Sequence, residues 1–400
     1  MTMKALAYLI CYCIYPFSFL LPRNRRKWAF GSFKGAFNDN AKYLFLHVSE
    51  QVKEVNCAWL SANKATIRRV RLSGLKAYHV LSPQGIWFAL TSKYWFYNAY
   101  SSDIMYCLSG RAVKVNLWHG LPLKRIEFDI DSGPLADRFV KKKFKERYFH
   151  PETFQRPDYV LSSTRLFSEI FARSFRIPID RCLEFGYPRN EILTWTEDVR
   201  EMFVRHHEPE VTQRLIERIQ QGCYSRVFIY LPTWRESQRD LFIQHFDLDR
   251  LDSLMKEQGS LLLLKPHANT PVDPSIVAHL TRVELLPADM DIYPVLPYTD
   301  VLITDYSSVL FDYALMPQKE IIIYLYDYQL YKKDRNFTYP IEELTIGRRV
   351  FDFETLLSAI RENVCLEEQE RVAYVEKCWG IDISHASTQI SVFFSNPLLT

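Results

Sequence analysis

The sequence predicts an α/β protein of two domains built on parallel sheets. Short apolar runs alternate with longer amphipathic stretches, and a polar helical stretch from Glu191 to Gln221 parts those runs into two series. The 400 residues also suffice for two packed units of roughly 150–200 residues each.

In chain order, the first element is an apolar run of about 18 residues, Ala5 to Pro22, interrupted by Pro16 and Ser18 and followed by Arg23, Arg25, Arg26 and Lys27. A secretory signal places its charge before the apolar region and ends on small residues, and this run does neither. A spanning helix needs about 20 apolar residues. The segment therefore reads as a short span, as a bent helix lying at a membrane interface, or as a helix buried on its own domain. The basic residues behind it favour the cytoplasmic leaflet, at about 1 kcal/mol per charge near anionic headgroups. Membrane association, peripheral or N-terminally anchored, is the expectation.

The apolar runs that follow read as buried strands at Trp28–Phe30, Cys57–Leu60, Ala77–Val80, Tyr94–Asn98, Val113–Leu117, Tyr159–Ser162 and Cys182–Phe185. After the polar stretch come Arg226–Leu231, Leu261–Leu264, Val283–Leu286, Val301–Thr304, Ile321–Tyr324 and Arg349–Val350. Helices are expected at Val309–Leu315 and Phe353–Asn363. The resulting partition is a membrane-associating segment 1–27, an N-terminal domain 28–190, a helical linker 191–225 and a C-terminal domain 226–400. The last helices are free to pack back on the N-terminal domain. A stretch of Lys141, Lys142, Lys143, Lys145 and Arg147 interleaved with Phe139, Val140, Phe144, Tyr148 and Phe149 reads either as a membrane-lying face or as a solvated helix face.

Composition removes several function classes. Lys+Arg 50 against Asp+Glu 47 lacks the basic excess of a nucleic-acid binder. Only 12 glycines in the chain argue against a Gly-rich nucleotide loop. The eight cysteines form no C-x-x-C pair, which points to a reducing compartment rather than to zinc or a disulfide framework. D-x-D pairs occur at Asp129/Asp131, Asp247/Asp249 and Asp289/Asp291, but none follows an apolar strand, so no metal site is expected.

Ligands of open α/β sheets bind beyond the carboxyl ends of the strands, and four strands end there in polar clusters. Trp118-His119-Gly120 follows one; Pro232-Thr233-Trp234-Arg235, Lys265-Pro266-His267 and Asp305-Tyr306-Ser307-Ser308 follow the others. Ser307 alone reads as the cap of a helix starting near Val309. A capped helix start with its free N–H groups and dipole can also receive an anion. Lys265, His267 and Arg235 in the same crevice favour that second reading, because arginine suits bidentate phosphate contacts and lysine supplies a point charge. Together they predict a diphosphate site. His119 reads either as an isolated structural histidine or as a base, with Gly120 permitting close approach of substrate and a reference pKa near 6.5.

These clusters, taken in order, resemble the CDP-glycerol glycerophosphotransferase family, the teichoic-acid primases and polymerases and their capsule relatives. The matching elements are Phe37-Asn38-Asp39-Asn40, Trp118-His119-Gly120 with Pro122 and Lys124, Gly186-Tyr187-Pro188-Arg189-Asn190, Pro232-Thr233-Trp234-Arg235 and Lys265-Pro266-His267. Thr304-Asp305-Tyr306-Ser307-Ser308 with Phe311-Asp312, then Tyr326-Asp327, Tyr331 and Arg335, complete a series covering roughly residues 30 to 345. The resemblance implies two Rossmann-like domains in a glycosyltransferase-B-like arrangement. It implies transfer of glycerol phosphate, or a related alditol phosphate, from a CDP-activated donor to a hydroxyl of a membrane-associated, lipid-linked glycan or polymer, releasing CMP.

By position, His119 would match the family's base, and Arg235 and His267 its donor-phosphate residues. Ser307 and Ser308 would lie by the donor phosphates with Asp305 shaping the turn. Lys265, Thr233 and Thr304 would join them, and Asp39, Asn40 and Lys124 would face the acceptor. No cofactor is expected beyond the donor substrate, and a divalent ion, where one takes part, would be carried by the substrate's diphosphate. Primase, polymerase and single-addition modes stay open. The alternatives are a nucleotide-sugar glycosyltransferase of the same two-domain fold and a non-catalytic membrane-associated assembly factor.

Overall fold

The protein is described from a computed structural model, which covers residues 3–133, 135–141, 143–233, 245–267, 272–334, 336–380 and 383–396. Its frame is two parallel sheets. The first holds β1 (Asn24–Phe30), β2 (Asn56–Ser61), β3 (Ala77–His79), β4 (Ser92–Tyr97), β5 (Val113–Asn116), β6 (Tyr159–Ser162) and β7 (Cys182–Glu184), in the spatial order β3-β2-β1-β4-β5-β6-β7. The second holds β8 (Val227–Leu231), β9 (Leu261–Leu264), β10 (Val283–Leu285), β11 (Val301–Thr304), β12 (Glu320–Tyr324) and β13 (Arg348–Val350), in the order β10-β9-β8-β11-β12-β13. In each sheet the chain starts at an inner strand, winds out one way and then returns to wind the other. The order therefore reverses between β1 and β4 and between β8 and β11, where the loops after those strands leave a crevice.

The strands form where the apolar runs predict them, because parallel strands covered on both faces must be apolar throughout. In β8, β9, β11 and β12 every residue is buried. The expectation of a first strand at Trp28 falls short by four residues: β1 begins at Asn24, whose backbone register with Ser92 extends the pairing through exposed polar side chains. The polar stretch after Glu191 is three helices, Glu191–Thr194, Glu197–His207 and Glu210–Gln221. Pro209 forbids continuation of the second, and Glu208 beside it is turned inward and buried.

One hydrophobic core runs through both lobes, containing Leu44 and Phe96 of the first, Leu231 and Leu302 of the second, and Phe394 near the C-terminus. The C-terminal helix Ala386–Ser395 crosses back to the first sheet, where the Phe394 ring packs against Tyr94 and Phe96 at 5.2 and 5.3 Å. Ser387 donates from its backbone N–H and hydroxyl to the buried carboxylate of Glu191 at 2.6 and 3.0 Å.

The N-terminal helix, Met3–Phe17, is 15 residues long, about 22 Å at 1.5 Å per residue against a hydrocarbon core of about 30 Å. Among the described residues no helix is long and apolar enough to cross a membrane, which corrects the spanning reading of this segment. It does have two faces. Tyr8 and Tyr12 pack on Tyr148 and Phe149, and Tyr15 stacks on Tyr106. Leu6, Leu9, Ile10, Ile14 and Phe17 point outward. Arg23 is also corrected: it leaves the basic cluster for the interior, where its guanidinium donates to the carbonyls of Ala89, Ser92, Leu108 and Gly110. Burial lowers its pKa to about 10.

Candidate active site

A cleft of about 1120 Å³ lies between the lobes at the carboxyl ends of both sheets. His119, Lys124 and Asp39 line it from the first lobe; Thr233, Lys265, His267, Ser307 and Ser308 line it from the second.

His119 stands on a strained turn. β5 stops at Asn116, whose side-chain oxygen accepts the Trp118 N–H at 2.9 Å. Trp118 then takes a left-handed φ of 52° and Gly120 a φ of 147°, and no side chain would tolerate the second easily. A Cβ on Gly120 would stand 2.1 Å from the Ser308 hydroxyl. Here the loop bearing His119 touches the loop after β11, so the two halves of the site are in van der Waals contact.

The imidazole has a defined tautomer. Its Nδ1 lies 3.1 Å from the carbonyl of Asn98, at the end of β4. A carbonyl only accepts, so Nδ1 carries the hydrogen and, in the neutral ring, Nε2 is left with its lone pair. Asn98 is held in turn: its side chain accepts from Ala41 N–H and donates to Ser32 Oγ, and its backbone N–H donates to Asp103. The His119 pKa is lowered, first by burial among its neighbours, with Arg189 and Lys124 lowering it further while Asp39 and the Asn98 carbonyl oppose them. His119 is therefore neutral at neutral pH, and Nε2 is chemically able to take up a proton.

On the second lobe, burial together with Lys124, Lys265, His119 and Lys34 brings the His267 pKa down to about 4. The effect of His119 on His267, and the Lys124 charge that acts on both, place the two histidines in one cleft. His267 is thus a neutral hydrogen-bonding group at neutral pH until an anion arrives. Burial likewise lowers the Lys265 pKa, with Asp291 and Asp289 opposing it, and Lys265 Nζ donates to the Ala288 carbonyl at 3.3 Å. Asp305 shapes the turn after β11: one carboxylate oxygen accepts from Thr233 N–H at 2.8 Å and Tyr306 N–H at 2.6 Å, joining the ends of β8 and β11. Tyr306 stacks on Tyr331 at 3.8 Å, and Lys124 Nζ donates to the Tyr331 hydroxyl at 3.1 Å, a second tie across the cleft.

Three expectations are corrected. Thr304 does not face the cleft; it is fully buried and donates to the Leu231 carbonyl at 2.8 Å. Asn40 does not face an acceptor; buried, it holds the carbonyls of Leu117 and Trp118 at 3.2 and 3.0 Å and so supports the His119 turn. The helix after Ser308 is only Val309–Tyr313; the Ser307 hydroxyl accepts the Val309 N–H at 3.4 Å and Ser308 makes no side-chain cap, so hydroxyl groups rather than a long helix dipole are what this turn offers an anion. Arg235 and Arg335 lie outside the described residues. Sequence reading placed Asn98 at the end of the strand Tyr94–Asn98 but gave it no role in the site, although it closes an apolar strand as the chosen clusters do. It also gave Arg189 and Asp312 no role, although both stand in the quoted motifs. Among the described residues no group of His, Cys, Asp and Glu could hold a metal ion. Of the D-x-D residues, Asp129 pairs with Arg173, Asp131 with Arg125, Asp249 with His279 and Asp291 with Lys42.

Residues 13–379 match the model of a family described as CDP-glycerol:poly(glycerophosphate) glycerophosphotransferase. The teichoic acid poly(glycerol phosphate) polymerase of Bacillus spizizenii is 24% identical over 375 residues, 90% of each chain. The teichoic acid glycerol-phosphate transferase of Staphylococcus aureus is 26% identical over 312 residues, 75% of each. The fold is like that of the wall teichoic acid polymerase TagF, with a TM-score of 0.72 at 22% identity over 98% of this chain and 93% of that one.

Proposed function

Because this chain belongs to the CDP-glycerol:poly(glycerophosphate) glycerophosphotransferase family, we propose that its interlobe cleft is where glycerol phosphate passes from CDP-glycerol to an acceptor hydroxyl. The protein is a CDP-glycerol-dependent glycerophosphotransferase of teichoic acid synthesis. The observation that carries the site assignment is the contact of Gly120 with Ser308, which sets a neutral histidine base beside the turn suited to phosphates.

In the proposed step His119 Nε2 takes the proton of the acceptor hydroxyl. The acceptor oxygen forms a bond to the glycerol-bearing phosphorus, and the bond from that phosphorus to the bridging oxygen breaks. CMP departs with the electron pair. Positioning and fixed electrostatics carry most of such a transfer. His267, Lys265, Thr233, Ser307 and Ser308 would hold the diphosphate, and Arg235 would add a bidentate clamp. A diphosphate beside His267 favours its protonated form, so donor binding would recruit a charge that burial and the neighbouring cations otherwise suppress.

The acceptor is a lipid-linked glycan or polymer, and the N-terminal helix carries the enzyme to it. That helix turns an apolar face outward, and Phe144, with Lys145 next to it, stands exposed in the segment it packs against. This suits a surface lying on an anionic cytoplasmic leaflet. Purified protein mixed with CDP-glycerol and a lipid-linked acceptor in anionic vesicles should float with the vesicles, and one glycerol phosphate should appear on the acceptor per CMP released. Consumption of UDP-sugars with CDP-glycerol untouched would replace this reading, and equal flotation with neutral vesicles would remove the electrostatic part of the membrane proposal.

A further inference from the structure

Arg189 occupies the turn Pro188–Asn190 that follows β7, and it is buried. One end of its guanidinium donates to Asp39 Oδ1 at 2.7 Å and to the His119 carbonyl at 3.0 Å. The other end donates to Asp312 Oδ2 at 2.8 Å. Asp312 belongs to the short helix immediately after Ser307–Ser308, and it also accepts from Asn190 Nδ2 at 3.0 Å and the Tyr293 hydroxyl at 2.5 Å. The Arg189 backbone N–H donates at 3.2 Å to Asn40, the same side chain that holds the Leu117 and Trp118 carbonyls. One planar group thus grips the base-bearing loop of the first lobe and the phosphate-side helix of the second.

We propose that Arg189 is a positioning residue for the transfer, setting the separation between the His119 imidazole and the Ser307–Ser308 turn. The inference rests on the functional reading above. Only a forked guanidinium satisfies two carboxylates and a carbonyl lying in different directions, and a lysine in its place would keep the charge but lose the fork. Misplacement of a base by about 1 Å can cost on the order of 100-fold in rate, so a tie of this kind bears on turnover more than on donor affinity.

The charged groups around His119 make the test specific. Asp39 favours its protonated form, Arg189 and Lys124 disfavour it, and His267 faces it across the cleft. Three variants are compared for kcat, donor dissociation constant and the pH profile of kcat/KM. R189K, with charge kept and fork lost, should lower kcat by about 100-fold with donor affinity within threefold and the acid limb unmoved. R189Q should lower kcat similarly and also move the acid limb to higher pH, because the pull of Asp39 on His119 is then opposed only by burial and Lys124. D312N, which removes the charge at the second-lobe end of the tie and also weakens the bonds from Asn190 and Tyr293, should lower kcat with the limb in place.

Full kcat in folded R189K, a loss confined to donor affinity, or a loss that merely follows the folded fraction would each overturn the proposal. An unmoved limb in R189Q would do the same. If R189Q does not fold, R189K and D312N still decide the matter. A wild-type protein that is silent on CDP-glycerol is a different failure: it sinks the functional reading before any variant is made and takes this inference with it.

Discussion

Replacing His119 with alanine should abolish transfer while leaving the donor bound. General-base catalysis contributes typically 10²–10⁴-fold, so CMP release should fall by at least about 100-fold. The CDP-glycerol dissociation constant by calorimetry should change by less than about threefold, because the groups assigned to the diphosphate sit on the other lobe. The pH profile gives a second reading of the same residue. The base works unprotonated, so kcat/KM falls as pH drops through its pKa. Because that pKa is lowered by burial and by Arg189 and Lys124, the wild-type acid limb should lie below the ordinary histidine value of 6.5 and should be missing from the residual activity of His119→Ala. Near-normal product formation by the variant would end the assignment.

The largest effect on stability is expected at Lys42. This lysine, on the helix Asp39–Gln51, has no exposed side-chain surface. Its ammonium pairs with Glu208 and, at 2.7 Å, with Asp291, which also accepts the Tyr43 hydroxyl at 3.1 Å. The three groups come from the first lobe, the helical connection and the second lobe, so the cluster bolts the closed arrangement in which the cleft exists. Lys42→Met leaves the buried Asp291 carboxylate without its cation and Glu208 with only Arg69 at 3.3 Å, and should cost about 3–5 kcal/mol, read as a lower urea midpoint. The triple variant Lys42→Met, Glu208→Gln, Asp291→Asn should recover much of that loss, since the cost lies in uncompensated charge rather than in absent attraction. Burial pushes the Asp291 pKa up, but Lys42, the hydrogen bond from Tyr43 and the Tyr293 N–H together bring it below the ordinary carboxylate value. A depressed folded-state pKa means that this stabilisation is present above the unfolded value near 3.8 and is lost as pH falls through the folded value. A single variant as stable as the wild type would show that the bolt is not closed in solution.

What was legible in the sequence is what apolar patterning controls. β9 and β11 appear at their expected bounds because all four residues of each are buried and nothing competes for their pattern. The polar clusters at the strand ends also fell where a parallel sheet must put them, and His119, His267, Lys265 and Ser308 do meet in one cleft. The supports of that cleft were not legible. Nothing in the local sequence marks Lys42 as buried, and its partners lie 166 and 249 residues away. Arg189 joins groups 150 and 123 residues distant. Buried ionic ties of this kind carry no periodic signal, because their energy depends on geometry that only the assembled fold supplies. Asn98 illustrates the same limit, since it holds the base through a backbone carbonyl, an atom every residue possesses.

The base of the first lobe and the diphosphate-holding groups of the second are proposed to serve one bound donor molecule. Titrating CDP-glycerol into protein carrying ring-labelled histidine, with His119 and His267 resonances assigned by single substitution, tests this most directly. The two signals should move along one saturation curve, His267 shifting toward its protonated form from a starting pKa of about 4. Movement of one histidine alone, or two curves with separate midpoints, would contradict it.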